Sequence, residues 1–246
     1  MSIRIVAMLL LSVVALPARA TDDPRTVVAR AIKALGGEAA LSKASAFTYR
    51  MKIALFIQGK EGKATARVTM DNFRRYRQDF RSEVGGNKVT GVLMLSGHKG
   101  SRSINFKSTN LNREGVDNLR HIAELTMTSI NVMPIRDYRL QSIDEEDVGG
   151  RPAVGLKVHP PDHKEFNIYF DKASGLPVKL TGRVVGFNNN ESTQEWTFSD
   201  YRVIGGIRKA MKIEIKRDGE PFQKIEVIDL PASLSVTGDL MNWPRS

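Results

Sequence analysis

The chain has 246 residues, longer than most single domains, although one large all-β domain can reach this size. Hydrophobic residues make up 41% of it, which supports a packed core and excludes a disordered chain. The formal net charge is +10 and there is no cysteine, so contact with anionic surfaces is favoured, whereas disulfides and a lipid-modified cysteine are excluded.

The first twenty residues have the anatomy of a secretory signal peptide. The basic start MSIR precedes the apolar run IVAMLLLSVVAL, and Pro17 and the small residues ARA follow. That run is shorter than the roughly 20 residues that a membrane-spanning helix needs. We expect cleavage after Ala20 and a periplasmic location, and the loss of Arg4 and Arg19 lowers the net charge from +10 to +8. After export, nucleic acid is not an expected partner.

A helix is predicted at the start of the mature chain, in TDDPRTVVARAIKALGG. Asp22 or Asp23 suits the N-cap and Pro24 suits the first turn, while two glycines mark the end. The apolar residues between them recur at helical spacing. A short second helix is predicted in EAALSKA.

From Phe47 onward the apolar period changes to two, which is typical of strands. In FTYRMKIALFI the apolar side chains share one face, and Arg50 and Lys52 lie on the other. The segments KATARVTMD, FRRYRQDF, NKVTGVLMLSG and SRSINF continue the alternation between glycine-rich turns. This pattern predicts a meander of antiparallel strands.

A helical period interrupts the strands in NREGVDNLRHIAELTMTSINVMP and ends at Pro134. Strands then resume from YRLQSIDEEDV through FNIYFDKASGLPVKL to the last hairpin, which turns at Asp218 and Gly219. Because helices do not alternate with strands, βαβ units and a parallel sheet are not expected. We expect a mainly β (α+β) fold in one domain, residues 21–246: a curved antiparallel half-barrel of about eleven strands with helices packed over the concave face.

The order of these segments resembles the LolA-like family of periplasmic lipoprotein and lipid carriers. The segments ALGG, FTYRMKI and MDNFRRYRQDF are similar to the start of those proteins, and LMNWP is similar to their ending. FNIYFDKASGLPVKLTGRVVG and WTFSDYRVIGGIRKAMKIEIKRDG resemble their repeated hairpin half. The resemblance covers nearly the whole mature chain. It implies a half-open barrel with a helical lid, whose cavity holds acyl chains or other hydrophobic ligands without chemistry.

One position departs from the family's lipoprotein shuttle, which carries an arginine before a proline-containing turn. Here the region reads TMDNF, with Met70 near the arginine's place and no proline. The resemblance therefore implies binding of hydrophobic ligands in general rather than dedicated lipoprotein handover.

A cavity in such a half-barrel is lined by one face of each strand and by the apolar face of the lid helices. Methionine suits this lining, because its flexible thioether adapts to irregular ligands. A filled core with the same pattern is the alternative. The candidate lining residues are Met51, Ile53, Leu55, Val68, Met70, Tyr76, Phe80, Leu93, Leu95, Phe106, Leu119, Ile122, Met127 and Trp196.

The segment FRRYR is the most distinctive charged feature. Arg74, Arg75 and Arg77 are candidate contacts for a lipid head group or for an acidic patch on a partner, because a guanidinium can bind phosphate through two hydrogen bonds. A solvated outer face of the sheet is the alternative interpretation.

No pattern indicates catalysis. His159 and His163 flank Asp162 in HPPDH, but the two prolines prevent a helix from placing both imidazoles on one face, and no third ligand has a metal-site spacing. GGNK and GHKG lack the context of a phosphate loop, and no nucleophile elbow is visible. We expect neither an enzyme nor a metal or cofactor site.

Two functions stay open. The first is an exported, soluble, monomeric carrier of a lipid or lipoprotein acyl chain, for transport or sorting in the cell envelope. Its partners are a lipid or lipidated protein and a membrane surface or envelope protein. The second is a non-enzymatic envelope sensor or interaction module that binds a partner protein through its basic face. A purified protein without extractable lipid favours the second.

Overall fold

The computed structural model describes residues 22–44, 46–71, 75–161, 164–186 and 190–229. Several sequence expectations lie outside these residues: the signal peptide with cleavage after Ala20, Arg74, Asp162, His163 and the closing LMNWP. Within the described ranges the chain forms three α-helices, one 3₁₀ helix and one β-sheet.

The first helix, α1 (Pro24–Leu35), has the limits that the sequence predicted. Pro24 occupies the first turn, where its missing N–H is not needed. Asp23 stands at the N-cap, although its side chain makes no capping hydrogen bond. Gly36 ends the helix at a φ of 131°, and α2 (Glu38–Lys43) follows. The buried face of α1 consists of Val27, Val28, Ala31, Ile32 and Leu35.

The rest of the described chain forms strands and a second helical segment. The strands of the first half are β1 (Ala46–Ile57), β2 (Lys60–Asp71), β3 (Arg75–Val84), β4 (Asn87–Ser96), β5 (Lys99–Ile104) and β6 (Lys107–Asn110). Helix α3 (Arg113–Thr128) and the 3₁₀ helix (Met133–Asp137) follow. The strands of the second half are β7 (Arg139–Asp147), β8 (Pro152–His159), β9 (Phe166–Asp171), β10 (Pro177–Val185), β11 (Glu191–Ile204), β12 (Ile207–Arg217) and β13 (Glu220–Asp229).

The described part of the chain has thirteen strands, against about eleven expected. Strand β6 was missed because all four of its residues are polar and exposed, so it has no alternation of apolar side chains. It is held by pairing with β5 across the turn at Asn105 and Phe106.

The sheet is open and antiparallel throughout, in the order β6-β5-β4-β3-β2-β1-β13-β12-β11-β10-β9-β8-β7. Neighbouring strands follow each other in the chain, except that β1 pairs with β13 at the centre. Strands β6 and β7 form the two edges. Helix α3 connects these edges and contacts β4, β5 and β10, so it crosses the concave face. This arrangement confirms the predicted curved half-barrel.

Cross-strand pairing arranges the concave side chains in rows, which we name from the helix end outward. The helix row is Phe47, Met70, Tyr76 and Leu95. The polar row is Tyr49, Val68, Gln78 and Leu93. The methionine row is Met51, Ala66, Phe80 and Gly91. The isoleucine row is Ile213, Ile225, Ile53, Ala64, Ser82 and Val89.

Candidate functional site

A cavity of about 850 Å³ lies along the isoleucine row, at the end of the sheet opposite the helices. Ile53, Ile213 and Ile225 form its centre on the three adjacent strands β1, β12 and β13. Ala64 and Val89 extend its lining across β2 and β4. Charged residues of the same strands, among them Lys52, Arg81 and Lys212, also line the cavity. A concave surface of this size with an apolar centre can hold a hydrophobic ligand.

Nearer the helices the concave face is filled by its own side chains. Tyr76 is 2% exposed, and its hydroxyl donates to the Gln78 side-chain oxygen at 2.5 Å. The ring of Phe80 lies across Gly91, where an added Cβ would stand 2.2 Å from the ring. Along the same strands, the part near the helices is therefore filled by packed side chains, and the part farther from the helices lines the cavity.

The predicted lining residues fall into three groups. Those buried in the single large core cluster are Met51, Ile53, Leu55, Val68, Met70, Tyr76, Leu95, Leu119 and Met127. Those partly buried against that cluster are Phe80, Leu93, Ile122 and Trp196. Of the predicted set, Ile53 also lines the cavity.

The expectation that Phe106 lines the cavity is wrong. Its side chain is 92% exposed, and its backbone has a φ of 68° in the turn between β5 and β6. The alternation in SRSINF ends at Ile104, because the chain turns there and Phe106 no longer follows the strand period.

The predicted arginine contacts differ in their surroundings. Arg75 and Arg77 flank the buried Tyr76 on β3, so both lie on the outer face of the sheet. Arg75 is exposed. The guanidinium of Arg77 donates two hydrogen bonds to Asp79, at 2.8 and 2.7 Å, and these bonds raise its pKa. An anion would compete with Asp79 for Arg77 but not for Arg75.

Lys209 is a buried polar residue that the sequence analysis missed. Residues of β12 that face the concave side are all apolar apart from Lys209. They are Ile207, Met211, Ile213 and Ile215. The signal was present in IRKAMKIEI, where one lysine occupies an apolar position of a strict alternation.

Two aromatic rings surround the ammonium of Lys209, whose side chain is 1% exposed. The Nζ atom lies 4.1 Å from the ring centroid of Tyr49 and 5.9 Å from that of Phe47. Such contacts attract a cation to the ring face. Burial lowers the pKa of Lys209 to about 7, because the charged form loses hydration.

Two further polar residues lie on the buried face of α3. Glu124 is 8% exposed, and burial raises its pKa to about 7. The Tyr138 hydroxyl partly opposes this rise, although neither carboxylate oxygen has a well-aligned hydrogen bond within the described ranges. His121 is 1% exposed and lies against Gly182 of β10. The sequence placed both residues on the helix without indicating their burial.

His159 belongs to a surface cluster of charged groups. Its Nδ1 atom lies 2.8 Å from the guanidinium of Arg139 and 2.5 Å from the carboxylate of Glu165. Glu165 also pairs with Lys157 at 2.6 Å. Among the residues that the structure describes, no three histidine, aspartate or glutamate side chains are arranged to hold a metal ion.

None of the helices in the described ranges is both long enough and apolar enough to span a bilayer.

No protein-family model matches the chain, and no curated protein matches it in sequence. Solved structures do match it. A LolA superfamily protein from Nitrosomonas europaea superposes with a TM-score of 0.58 at 10% identity, over 89% of this chain and 97% of its own. A candidate outer membrane lipoprotein-sorting protein domain from Vibrio parahaemolyticus gives 0.56 at 10% identity, over 89% and 96%.

A third match, a DUF1329 family protein from Desulfovibrio piger, gives a TM-score of 0.52 at 12% identity, over 90% of this chain and 98% of its own. At these identities the likeness is one of fold. It agrees with the strand order, the open sheet and the crossing helix described above. The chain therefore has the LolA-like fold.

Proposed function

We propose that the chain is a carrier of a hydrophobic ligand, held against the concave face of the half-barrel. The cavity of about 850 Å³ at the isoleucine row carries this proposal. Ile53, Ile213 and Ile225 offer an alkyl chain a continuous apolar floor across three strands. Burying such a chain contributes about 25 cal/mol of favourable binding free energy per Å² of apolar surface removed from water. No chemical step is required of the protein.

The sequence supports an envelope role for this carrier. A signal peptide cleaved after Ala20 leaves one domain, residues 21–246, in the periplasm. Its net charge of +8 favours encounters with anionic membranes. A LolA superfamily protein and a lipoprotein-sorting domain share the fold, which supports a lipid or lipidated protein as cargo. Helix α3, which crosses the concave face, is the element that would move during loading.

A cavity-filling substitution tests the proposal. Ala64 lies in the isoleucine row, so in Ala64→Trp an indole occupies the cavity. Ala39 is exposed on helix α2, away from the residues that line the cavity, so Ala39→Trp is the matched control. We expect Ala64→Trp to weaken binding of a fluorescent fatty acid by about tenfold or more, equivalent to at least about 1.4 kcal/mol, and Ala39→Trp to leave it unchanged. Equal binding by both variants would place the ligand elsewhere.

The alternative function is that of an interaction module, and the exposed Arg75 on the outer face favours it. In that case the wild-type protein binds no fatty acid and Ala64→Trp has no effect. If Arg75→Ala then abolished the binding of a partner protein, the basic face would be identified as the contact surface.

A further inference from the structure

A graded track runs along the concave face from a polar end to an apolar end. On β12, Lys209, Met211 and Ile213 point to the same side at alternate positions. On β1, two strands away across β13, Tyr49, Met51 and Ile53 do the same. At one end of the track the Lys209 ammonium contacts the Tyr49 ring, and at the other end Ile53 and Ile213 line the cavity.

The length of this track suits a single alkyl chain. Lys209 and Ile213 are four residues apart, which corresponds to about 13 Å at about 3.3 Å per strand residue. The two methionines lie between the ends, and both are slightly accessible, at 6% for Met51 and 8% for Met211. Their unbranched side chains can change rotamer to admit a chain, as methionines do at adaptable binding surfaces.

The polar end of the track carries the ammonium of Lys209. Within the described part of the chain no carboxylate forms an ion pair with it, and the rings of Tyr49 and Phe47 lie next to it. Lys179 is also buried, but it lies 2.5 Å from Glu146 and 2.7 Å from Glu195. A buried ammonium is stabilised when an anion joins it, so Lys209 is suited to a negative group brought by a ligand.

We propose that Lys209 binds the anionic head group of a single-chain amphiphile, a carboxylate or a phosphate, while the alkyl chain runs past Met51 and Met211 into the cavity. This inference rests on the proposed carrier function and specifies its cargo. The ammonium donates hydrogen bonds to the head group beside the rings of Tyr49 and Phe47. The isoleucine row receives the far end of the chain.

Ligands that share one chain and differ in the head group test the inference. We would measure displacement of a fluorescent probe from the wild-type protein by laurate, dodecyl phosphate, dodecanol and dodecylamine at pH 6.5. We expect laurate or dodecyl phosphate to bind about tenfold or more tightly than dodecanol, because a hydrogen bond to a charged group is worth at least that factor. Dodecylamine should bind most weakly. The preferred anion distinguishes a fatty acid from a phosphate-bearing lipid.

Variants then assign the preference to a residue. Lys209→Met should bring the affinities for laurate and dodecanol to within about twofold of each other, whereas Lys209→Arg should retain the preference. Arg208→Met removes an exposed charge from the opposite face of the same strand and should change nothing.

Two results would overturn the inference in distinguishable ways. If wild-type protein binds dodecanol as tightly as laurate and dodecyl phosphate, the head-group site is wrong while the carrier function stands. If it binds none of the four ligands, the carrier function fails and the head-group site fails with it. The wild-type comparison decides the matter even if Lys209→Met does not fold.

Discussion

The ammonium of Lys209 lies 4.1 Å from the centroid of the Tyr49 ring, and Lys209 belongs to β12, a strand that helix α1 contacts. In the described part of the chain the other buried lysine is Lys179, and it contacts Glu146 and Glu195 instead. One buried cation is thus surrounded by π-faces and the other by carboxylates. Burial lowers the pKa of Lys209, whereas for Lys179 the two carboxylates outweigh burial and raise the pKa.

We expect Lys209→Met to stabilise the ligand-free protein most at low pH. The pKa of Lys209 is about 7 in the folded state and about 10.4 in the unfolded chain. Between these values the unfolded chain binds the extra proton, so wild-type stability rises as the pH rises from about 7 to 10. Methionine removes this dependence. Urea unfolding at pH 6 and pH 9.5 should show the larger gain at pH 6, by a few kcal/mol at most. Parallel pH profiles for the two proteins would contradict the buried charge.

Lys179→Met should have the opposite effect on stability. Its removal leaves Glu146 and Glu195 facing each other without a cation, and both are partly exposed, so water can compensate in part. We expect a loss of about 1–3 kcal/mol at pH 7. Urea unfolding of both lysine variants in one buffer checks the contrast. A stabilising Lys179→Met would show that its ion pairs contribute nothing.

Glu124→Gln should remove the pH dependence that Glu124 gives to the unfolding free energy between about pH 4.5 and pH 7. Burial raises the pKa of Glu124 from 4.5 to about 7, so the folded protein holds the proton more tightly than the unfolded chain. The stabilising effect of the protonated form is complete below about pH 4.5 and is lost as the pH rises to about 7. Glutamine mimics the neutral acid. The variant should equal wild type at pH 4.5 and exceed it by about 3 kcal/mol at pH 8, measured by thermal unfolding.

The glycines that follow α1 give a matched pair of substitutions. Gly36 and Gly37 both have positive φ, 131° and 86°, so alanine strains the backbone at each. A Cβ at Gly36 would also stand 2.4 Å from the carbonyl oxygen of Gly206, whereas one at Gly37 meets open space. We therefore expect Gly36→Ala to lower the unfolding free energy more than Gly37→Ala, by at least about 1 kcal/mol. Equal losses would show that the Gly36–Gly206 contact is not tight.

The alternation in β1 was enough to predict which face is buried. Tyr49, Met51 and Ile53 all point inward, as the period of two requires. The same period could not show that Met51 is packed while Ile53 lines a cavity, because that depends on what the helices cover. For Lys209, the alternation in IRKAMKIEI marks an inward position but cannot show the two aromatic rings beside the ammonium. Glu124 was missed because its burial results from packing against other elements rather than from its own segment.

Mass spectrometry of solvent extracts tests the carrier function most directly. The protein, residues 21–246, would be purified from its native compartment without detergent, with Ala64→Trp prepared in parallel. We predict a bound hydrophobic molecule near one per protein in the wild type, with a single chain and an anionic head group, and much less in Ala64→Trp. Wild-type protein that yields no such molecule, and that also fails to bind a fluorescent fatty acid, would contradict the carrier function.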